Sequence, residues 1–277
     1  MSLRNTPPVK IYGDMRIRAF RVVWICEELG LPWELEHVWP WSDKIYSLNP
    51  LGKVPVIIDG DAQIYESAAI LNYLAEKYQD AAGLHLVPKP GTKERALYDQ
   101  FLMVIFLDIE ALGLWTHRKF IDLALYSSNS DLMNDLQYIH IPEAASPAKV
   151  TFERSLKILA EELKKHKFLL GDNFTALDIH LLRDLEWADA LDWLTGNPDE
   201  SVLRRYYDDV RIVPYEWTSS EHGLCLRLQA AEPDVNKRLG CRWVLGSKRF
   251  HQRSNPQRCP LVKRCRLQRV PNSMLCV

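Results

Sequence analysis

The hydrophobic pattern of the chain changes at one short stretch, QDAAGLHLVPKPGT, which contains two Gly, two Pro and no regular period. Before it, short extended apolar runs alternate with helical periods, and after it the pattern is helical. Gly and Pro at such a change are typical of a linker. The pattern therefore predicts an α/β unit over residues 8–80 and an all-helical unit over residues 92–213, joined by a linker at residues 81–91.

The first unit is predicted to have the element order β-α-β-α-β-β-α. Strands are indicated by VKIYG, by ELEHVW and by the two apolar runs of VPVIIDGDAQIYE, which form a hairpin through Asp59, Gly60 and Asp61. Helical spacing is found in RAFRVVWICEELG and in the stretch that begins at Ser67. Between them, WSDKIYSLNPLGK is expected to be an irregular loop with one helical turn.

The second unit begins with a long helical run, KERALYDQFLMVIFLDIEALGLWTHRKF. Ser146 before Pro147 predicts another helix start, with Ser as the cap and Pro at the first helical position. A core-facing stripe at spacings of four, three and four follows: Phe152, Leu156, Leu159 and Leu163. Thr175 and Asp178 have the spacing of a capping box, which predicts the start of a further helix.

Residues 214–277 differ in composition from the rest of the chain. They contain 12 Lys and Arg but only 4 Asp and Glu, whereas the whole chain of 277 residues has a formal net charge of −1. No sustained helical or strand period is recognised there, and five of the six Cys lie there without Cys-x-x-Cys spacing. We therefore predict a basic tail that is poorly ordered or not native coding sequence, and no metal site.

A basic tail can contact nucleic acid or an anionic membrane. Nucleic acid is not favoured as a partner, because neither a recognised motif nor an ordered aromatic platform is present. The uncharged apolar stretches are too short to span a membrane, and MSLRNTPPVKIYG at the N-terminus lacks the apolar core of a secretory signal. A cytoplasmic protein without membrane contacts is expected.

Two stretches, NPLGKVPVIIDGDAQIYESAAILNYLAEKY and FLLGDNFTALDI, occur within this order of elements. With that order they resemble the cytosolic glutathione S-transferases over residues 9–195, and YGDMRIRAFRVVWICEELGLPWE is similar to bacterial and fungal branches. The resemblance implies a thioredoxin-like domain that binds glutathione, and a homodimer formed through the first helices of the second domain. It also implies transfer of the glutathione thiolate to small electrophiles, with a non-catalytic binding or interaction module as the alternative.

The junction of Glu66 and Ser67 has two compatible interpretations. Ser is a preferred helix cap, and an acid suits the first helical turn. In the family this helix start holds the γ-glutamyl end of glutathione, so Ser67 would bind the carboxylate and Glu66 the ammonium. The resemblance further implies a cis Val54–Pro55 bond, main-chain hydrogen bonds from Val54 to the cysteinyl unit, and Lys53 near the glycyl carboxylate. Alternatives for this last contact are Trp39, Trp41 and Lys44.

Catalysis in the family needs a hydroxyl or sulfhydryl beside the start of the first helix, where it favours the thiolate of glutathione. The serine-type position, four residues before Arg21, is here Ile17, which cannot donate a hydrogen bond. An alignment to tyrosine-type members places Tyr12 at the catalytic position instead. Alternatively, Arg16 or Arg18 stabilises the thiolate by charge.

The second substrate is expected between the two domains, against the long helix. Candidates by position are Phe106, Glu110, Leu114, Trp115 and His117. Cys26 lies on the apolar face of the first helix, so it is predicted to pack in the core rather than act as a nucleophile. No motif identifies the electrophile.

Overall fold

The computed structural model describes residues 3–122, 140–211, 215–220 and 223–228. The first domain contains the strands β1 (Val9–Gly13), β2 (Trp33–His37), β3 (Val56–Asp59) and β4 (Ala62–Tyr65). Its helices are α1 (Ala19–Leu29), α2 (Asp43–Leu48) and α3 (Ser67–Ala82). Along the chain they follow one another as β1-α1-β2-α2-β3-β4-α3, which confirms the order predicted from the sequence.

The four strands of this domain form one mixed sheet in the order β2-β1-β3-β4. β1 runs parallel to β2 and antiparallel to β3, and β3 pairs with β4 so that Val56 lies opposite Tyr65. The β3–β4 hairpin turns at Gly60, whose φ of 65° lies in the left-handed region that Gly adopts without strain. This is the thioredoxin-like arrangement that the resemblance implies.

Helices cover both faces of the sheet. Because successive strand residues point to opposite faces, Ile11 joins Cys26 and Leu71 in the main hydrophobic core, while Tyr12 packs on the other face with Ile45 of α2. Cys26 is fully buried, as predicted, and burial raises the pKa of its thiol. The Cys26 thiol is therefore protonated and enclosed, which suits packing and not nucleophilic attack.

The described part of the second domain consists of helices and their connections. α4 (Lys93–Met103) continues directly into a π-helix, Val104–Leu114, and then through Trp115–His117 and Arg118–Asp122. Beyond residue 140, a 3₁₀ turn at Pro142–Ala144 leads into α5 (Ala145–Lys165), α6 (Ala176–Ala190) and α7 (Glu200–Arg211). None of the helices in the described ranges has both the length and the apolar character needed to cross a membrane.

Two predicted helix starts had different outcomes. The capping box of α6 is confirmed. The Thr175 backbone N–H donates to the Asp178 carboxylate at 2.8 Å, and the Asp178 backbone N–H donates to the Thr175 side chain. The cap predicted at Ser146 is wrong, because α5 begins at Ala145 and Pro147 is its third residue. Pro is tolerated there because N–H groups of the first turn have no partner within the helix. The stripe from Phe152 to Leu163 is buried, as predicted.

Two strands lie within the tail, β5 (Tyr215–Ser220) and β6 (Gly223–Leu228), and they pair antiparallel. The prediction of no regular structure is wrong for these two segments. Leu224, Leu226 and Leu228 alternate along β6, which is the period of a strand and is visible in the sequence. Apart from these strands, the predicted disorder or non-native origin of residues 214–277 concerns residues outside the described ones.

Candidate functional site

The end of β1 carries Tyr12, one of the three residues predicted to stabilise a thiolate. Its side chain is buried against Ile45, Val54 and Val56, with Ile17 at the edge of this cluster. The Tyr12 hydroxyl makes no hydrogen bond with any described residue. It is therefore an available donor beside Val54.

Gly13 brings the end of β1 close to the Val54–Pro55 bond, which is cis as predicted. A Cβ atom on Gly13 would lie 2.9 Å from the Cβ of Ala19 and 3.5 Å from the Cβ of Val54. Only a residue without a side chain permits this approach. The backbone N–H and C=O of Val54 have no hydrogen-bond partner among the described residues. They can therefore pair with the backbone of a peptide ligand in the manner of an added strand.

The junction between β4 and α3 is the second part of the candidate site. Ser67 begins α3 and is only 2% exposed, yet its hydroxyl has no hydrogen-bond partner in the described part of the chain. Glu66 precedes the helix, is exposed, has a φ of 69° and makes no side-chain capping bond. The capping interpretation is therefore wrong for the Ser67 side chain. Its hydroxyl is buried at the helix start but makes no hydrogen bond to the free N–H groups of the first turn.

The pairing of strands brings these two parts of the candidate site together. Val56 lies opposite Tyr65 in antiparallel register, so Val54–Pro55 and Glu66–Ser67 leave the β3–β4 hairpin side by side. β1 lies on the other side of β3, with Tyr12 opposite Val56. The polar groups proposed to contact glutathione therefore meet at one end of the sheet.

Lys53 precedes Val54 and is exposed. Its ammonium has no acidic partner among the described residues, and its backbone C=O accepts a hydrogen bond from the Asn49 side chain at 2.8 Å. In the preceding loop, Lys44 Nζ lies 3.8 Å from a Glu36 carboxylate oxygen and 5.2 Å from the centre of the Tyr12 ring. The other candidates of this loop are the exposed Trp39 and the half-buried Trp41.

Arg16 is held by interactions with both domains. Its guanidinium donates to the two carboxylate oxygens of Asp14 at 2.8 and 2.9 Å and lies 4.6 Å from the Trp39 ring. Burial opposes ionisation of Asp14, but the hydrogen bonds and charge of Arg16 prevail and lower its pKa. From α6, Arg183 donates to the Arg16 backbone C=O at 3.0 Å. The loop before α1 is therefore fixed partly by the second domain.

Arg18 and the fully buried Arg21 share one acid, Glu110, on the long helix of the second domain. Arg18 forms an ion pair with one Glu110 oxygen, and Arg21 donates to the other at 3.0 Å. Arg21 also donates to Asp184 of α6 at 2.7 Å and to the backbone C=O of His180 at 3.3 Å. We call Arg18, Arg21, Glu110 and Asp184 the interdomain network.

Burial and mutual contact determine the charges of this network. Burial, together with the neighbouring Glu110, raises the pKa of Asp184. Burial also acts to raise the pKa of Glu110, but the charges and hydrogen bonds of Arg21 and Arg18 outweigh it and lower that pKa. Burial and the same arginines hold the pKa of His180 well below its usual value, so its ring is neutral. The network therefore contains two positively charged guanidinium groups and the ionised carboxylate of Glu110. Its second acid, Asp184, has a raised pKa that favours the protonated form.

Three of the second-substrate candidates lie in the π-helix Val104–Leu114. Such helices are rare, occur frequently at functional sites, and cannot be distinguished from α-helices by apolar pattern alone. Phe106 is half-buried, with its ring edge-on to His180 at 4.8 Å between centroids. Glu110 belongs to the interdomain network, and Leu114 is fully buried in the core.

The remaining candidates follow the π-helix. Trp115 is 36% exposed, lies 5.9 Å from the Arg18 guanidinium, and packs edge-on against Trp187 of α6 at 6.3 Å. His117 packs edge-on against Trp193 at 5.2 Å, beside a cavity of about 290 Å³.

No sequence motif marks four further residues that the structure places here: Asp184, Arg183, Trp187 and Arg118. Arg118 lies 5.8 Å from the centre of the Trp187 ring. Within the described ranges, no group of His, Cys, Asp and Glu is arranged to hold a metal ion.

Comparison with known proteins identifies the family. Sequence profiles of the glutathione S-transferase N-terminal and C-terminal domains match residues 18–77 and 133–209. The chain is similar to Glutathione S-transferase F10 of Arabidopsis thaliana, with 32% identity over 177 residues that cover 61% of this chain and 75% of the relative. The chain belongs to the glutathione S-transferase family. By this membership it is an enzyme, a glutathione transferase, and its family binds glutathione.

A second curated relative supports the family assignment, and a solved structure shows the shared fold. Glutathione S-transferase F14 of Arabidopsis thaliana is 29% identical over 184 residues, which cover 64% of this chain and 65% of that relative. A structure of the glutathione transferase URE2P6 from Phanerochaete chrysosporium, in complex with oxidized glutathione, aligns with a TM-score of 0.59 and 23% identity. The alignment covers 74% of this chain and 91% of that one, and it shows a shared fold. The curated relatives are named as transferases, so the non-catalytic alternative gains no support.

Proposed function

We propose that this glutathione transferase binds glutathione where Val54–Pro55 meets Glu66–Ser67, and conjugates its thiolate to small electrophiles. The observation that carries the proposal is Ser67, whose buried hydroxyl has no partner among the described residues at the start of a 16-residue helix. Burying a hydroxyl without a hydrogen bond costs roughly 1–3 kcal/mol. A ligand that forms the missing hydrogen bond with Ser67 explains why the protein keeps a buried hydroxyl that destabilises its free form.

The γ-glutamyl end of glutathione carries a carboxylate and an ammonium, and this junction has a group for each. The start of α3 offers backbone N–H groups and the positive end of the helix dipole, and Ser67 adds its hydroxyl, so the carboxylate binds there. Glu66 is exposed and has no ion-pair partner among the described residues, so it pairs with the ammonium. Its positive φ fits this role, because strained backbone concentrates at ligand sites.

The rest of the tripeptide extends along Val54 towards Lys53. The unpaired backbone N–H and C=O of Val54 can exchange two hydrogen bonds with the cysteinyl unit, in the manner of an added strand. The exposed ammonium of Lys53 follows in the same direction and suits the glycyl carboxylate. This path leaves the sulfur of glutathione near the end of β1.

Tyr12 is our first choice for the group that stabilises the thiolate. Its hydroxyl is free among the described residues and lies in the cluster that contains Val54, whereas Ile17 provides no donor. Arg16, which donates to both carboxylate oxygens of Asp14, and Arg18, which contacts Glu110 through one nitrogen, remain alternatives. A hydroxyl that donates to the sulfur lowers the pKa of the thiol and increases the fraction present as the nucleophile.

We place the electrophile against Trp115, the exposed member of the predicted set. Phe106 lies deeper, beside the Arg21 guanidinium at 5.4 Å. Glu110 acts indirectly by holding Arg18, and Leu114 supports the helix from within the core. The electrophile therefore enters between the two domains, next to the sulfur.

The test combines capture on immobilised glutathione with a conjugation assay that uses 1-chloro-2,4-dinitrobenzene. We expect capture and turnover by the unmodified protein. Tyr12→Phe should lower turnover by about 10²–10³-fold, the usual cost of one preorganised donor, with little change in glutathione affinity. Capture without turnover would refute conjugation, and turnover gained by Ile17→Ser would then indicate a site that has lost its donor.

If Tyr12→Phe has almost no effect while Arg16→Ala or Arg18→Ala is costly, an arginine stabilises the thiolate by charge. Far-UV circular dichroism of each variant controls for loss of fold. Glutathione affinity measured in parallel separates binding from activation of the sulfur.

We also propose a homodimer that pairs through the start of the second domain. Met103 and Leu107 are 47% and 56% exposed and are four residues apart on one helix. Large apolar side chains exposed together mark interaction surfaces. A second copy of the chain is the partner that we propose for this surface.

We also propose a cellular location, domain boundaries and a branch of the family. A cytoplasmic location suits an enzyme that consumes a reduced thiol, because the cytosol maintains the reduced glutathione pool. The division at residues 8–80, 81–91, 92–213 and 214–277 follows the change of pattern in the sequence. Similarity of the stretch from Tyr12 to Glu34 to bacterial and fungal members suggests that branch of the family.

A further inference from the structure

Arginine and tryptophan side chains from both domains come together near the end of the sheet where we propose that glutathione binds. The Arg18 guanidinium lies 5.9 Å from the Trp115 ring, Trp115 packs edge-on against Trp187 at 6.3 Å, and the Arg118 guanidinium lies 5.8 Å from the Trp187 ring. The four residues come from the start of α1, the helix that follows α4, and α6. We call Arg18, Trp115, Trp187 and Arg118 the Arg–Trp wall.

Arg18 has hydrogen-bond donors to spare within this wall. A guanidinium has five N–H donors, and the ionic contact of Arg18 within the described residues is to Glu110 alone, through one terminal nitrogen. The Arg18 side chain is 34% exposed, whereas Glu110 is 2% exposed. Glu110 therefore holds the guanidinium from the buried side, and the remaining Arg18 donors are available on the exposed side.

The surroundings of Arg18 do not neutralise its charge. In the interdomain network, Arg18 and Arg21 face Glu110 and Asp184, and burial raises the pKa of Asp184. Asp184 therefore keeps its proton to higher pH than an ordinary Asp. While it does so, the two guanidinium groups exceed the ionised carboxylates by one positive charge, and Arg18 is the member of the network that is exposed.

We propose that the preferred second substrate is an aromatic electrophile with an anionic substituent, its ring against Trp115 and its anion bound by Arg18. A guanidinium binds a carboxylate with two parallel hydrogen bonds, and an indole ring offers a large face to an aromatic ring. The inference rests on the proposed function, because it requires glutathione to be bound beside this wall. It adds the chemical class of the electrophile and the residue that selects it.

The reaction is a substitution on the aromatic ring. The thiol proton of glutathione is released to solvent, and the thiolate sulfur attacks the ring carbon that carries chlorine. A C–S bond forms, the C–Cl bond breaks, and chloride leaves with the bonding electron pair. The anionic substituent takes no part in bond making, so its effect reports recognition alone.

The test compares two substrates that share this chemistry and differ in charge, 1-chloro-2,4-dinitrobenzene and 4-chloro-3,5-dinitrobenzoate. The readout is the ratio of kcat/KM for the benzoate to kcat/KM for the neutral substrate. Arg18→Gln should lower this ratio by about 10- to 100-fold, the usual effect of losing a charge-assisted hydrogen bond, chiefly by raising KM for the benzoate. Arg154→Gln removes one exposed charge from α5 and should leave the ratio unchanged.

Affinities of the two glutathione conjugates, measured by calorimetry, provide a second readout that needs no turnover. Arg18→Gln should weaken the carboxylated conjugate and leave the neutral one nearly as before. An unchanged ratio, or equal losses with both ligands, overturns the substrate class and leaves the proposed function standing. Failure of the unmodified protein to bind glutathione or either conjugate overturns both.

Discussion

Replacing Ser67 with Ala should stabilise the free protein and weaken its affinity for glutathione. The Ser67 hydroxyl is buried and lacks a hydrogen-bond partner within the described residues, so its removal relieves part of a desolvation cost of roughly 1–3 kcal/mol. We expect the free energy of unfolding to rise by about 1 kcal/mol, since a small cavity offsets part of the gain. A hydrogen bond to a carboxylate contributes roughly 1.5–3 kcal/mol, so the Kd for glutathione should rise by about 10- to 150-fold.

Urea unfolding and calorimetric titration with glutathione, in one buffer, measure the two effects. Thr92→Ala is the matched control, because Thr92 is a true cap whose hydroxyl accepts from the Arg95 N–H at 3.1 Å. That variant should lose about 1 kcal/mol of stability and keep its glutathione affinity. The reasoning is refuted if Ser67→Ala loses stability as Thr92→Ala does while its Kd for glutathione stays the same.

Three further outcomes are expected. Glu110→Gln removes the charge between two arginines, one of them the buried Arg21, and should cost about 3–5 kcal/mol in urea unfolding, so a loss below about 1 kcal/mol would contradict the network. Met103→Glu combined with Leu107→Glu should give a monomer by light scattering, and a monomeric parent would exclude the proposed dimer. Because the pKa of Asp14 is lowered in the folded state, its stabilisation is complete above the ordinary pKa of Asp, about 4, and is lost as pH falls through the lowered value. The difference in urea midpoint between the parent and Asp14→Asn should therefore be largest near neutral pH and shrink on acidification, and a constant difference would speak against it.

The order of elements was predictable because hydrophobic periodicity is a local property. A strand repeats every two residues and a helix every 3.6, so runs such as VKIYG and the stripe from Phe152 to Leu163 indicate their own structure. Local patterns also misled. Ser146 before Pro147 has the composition of a helix start, yet α5 already begins at Ala145. The alternating leucines of β6 lie within a tail whose composition does not indicate a strand.

The interdomain network was not predictable from the sequence for a physical reason. Arg21 lies 89 positions from Glu110 and 163 from Asp184, and no local period links such residues. Ser67 illustrates a different limit. A serine at a helix start looks the same in the sequence whether its hydroxyl caps the helix or waits for a ligand, and only the absence of a partner in the described structure separates the two.

Arg21 belongs to the first domain, while both of its acidic partners belong to the second. A thioredoxin-like domain of this type, joined to a helical domain that lacks those acids, would carry a bare guanidinium into an apolar contact surface. Recombination between distant relatives is therefore restricted in a way that sequence similarity around the crossover does not reveal. A viable chimaera inherits the arginine and its two carboxylates together, or replaces all three.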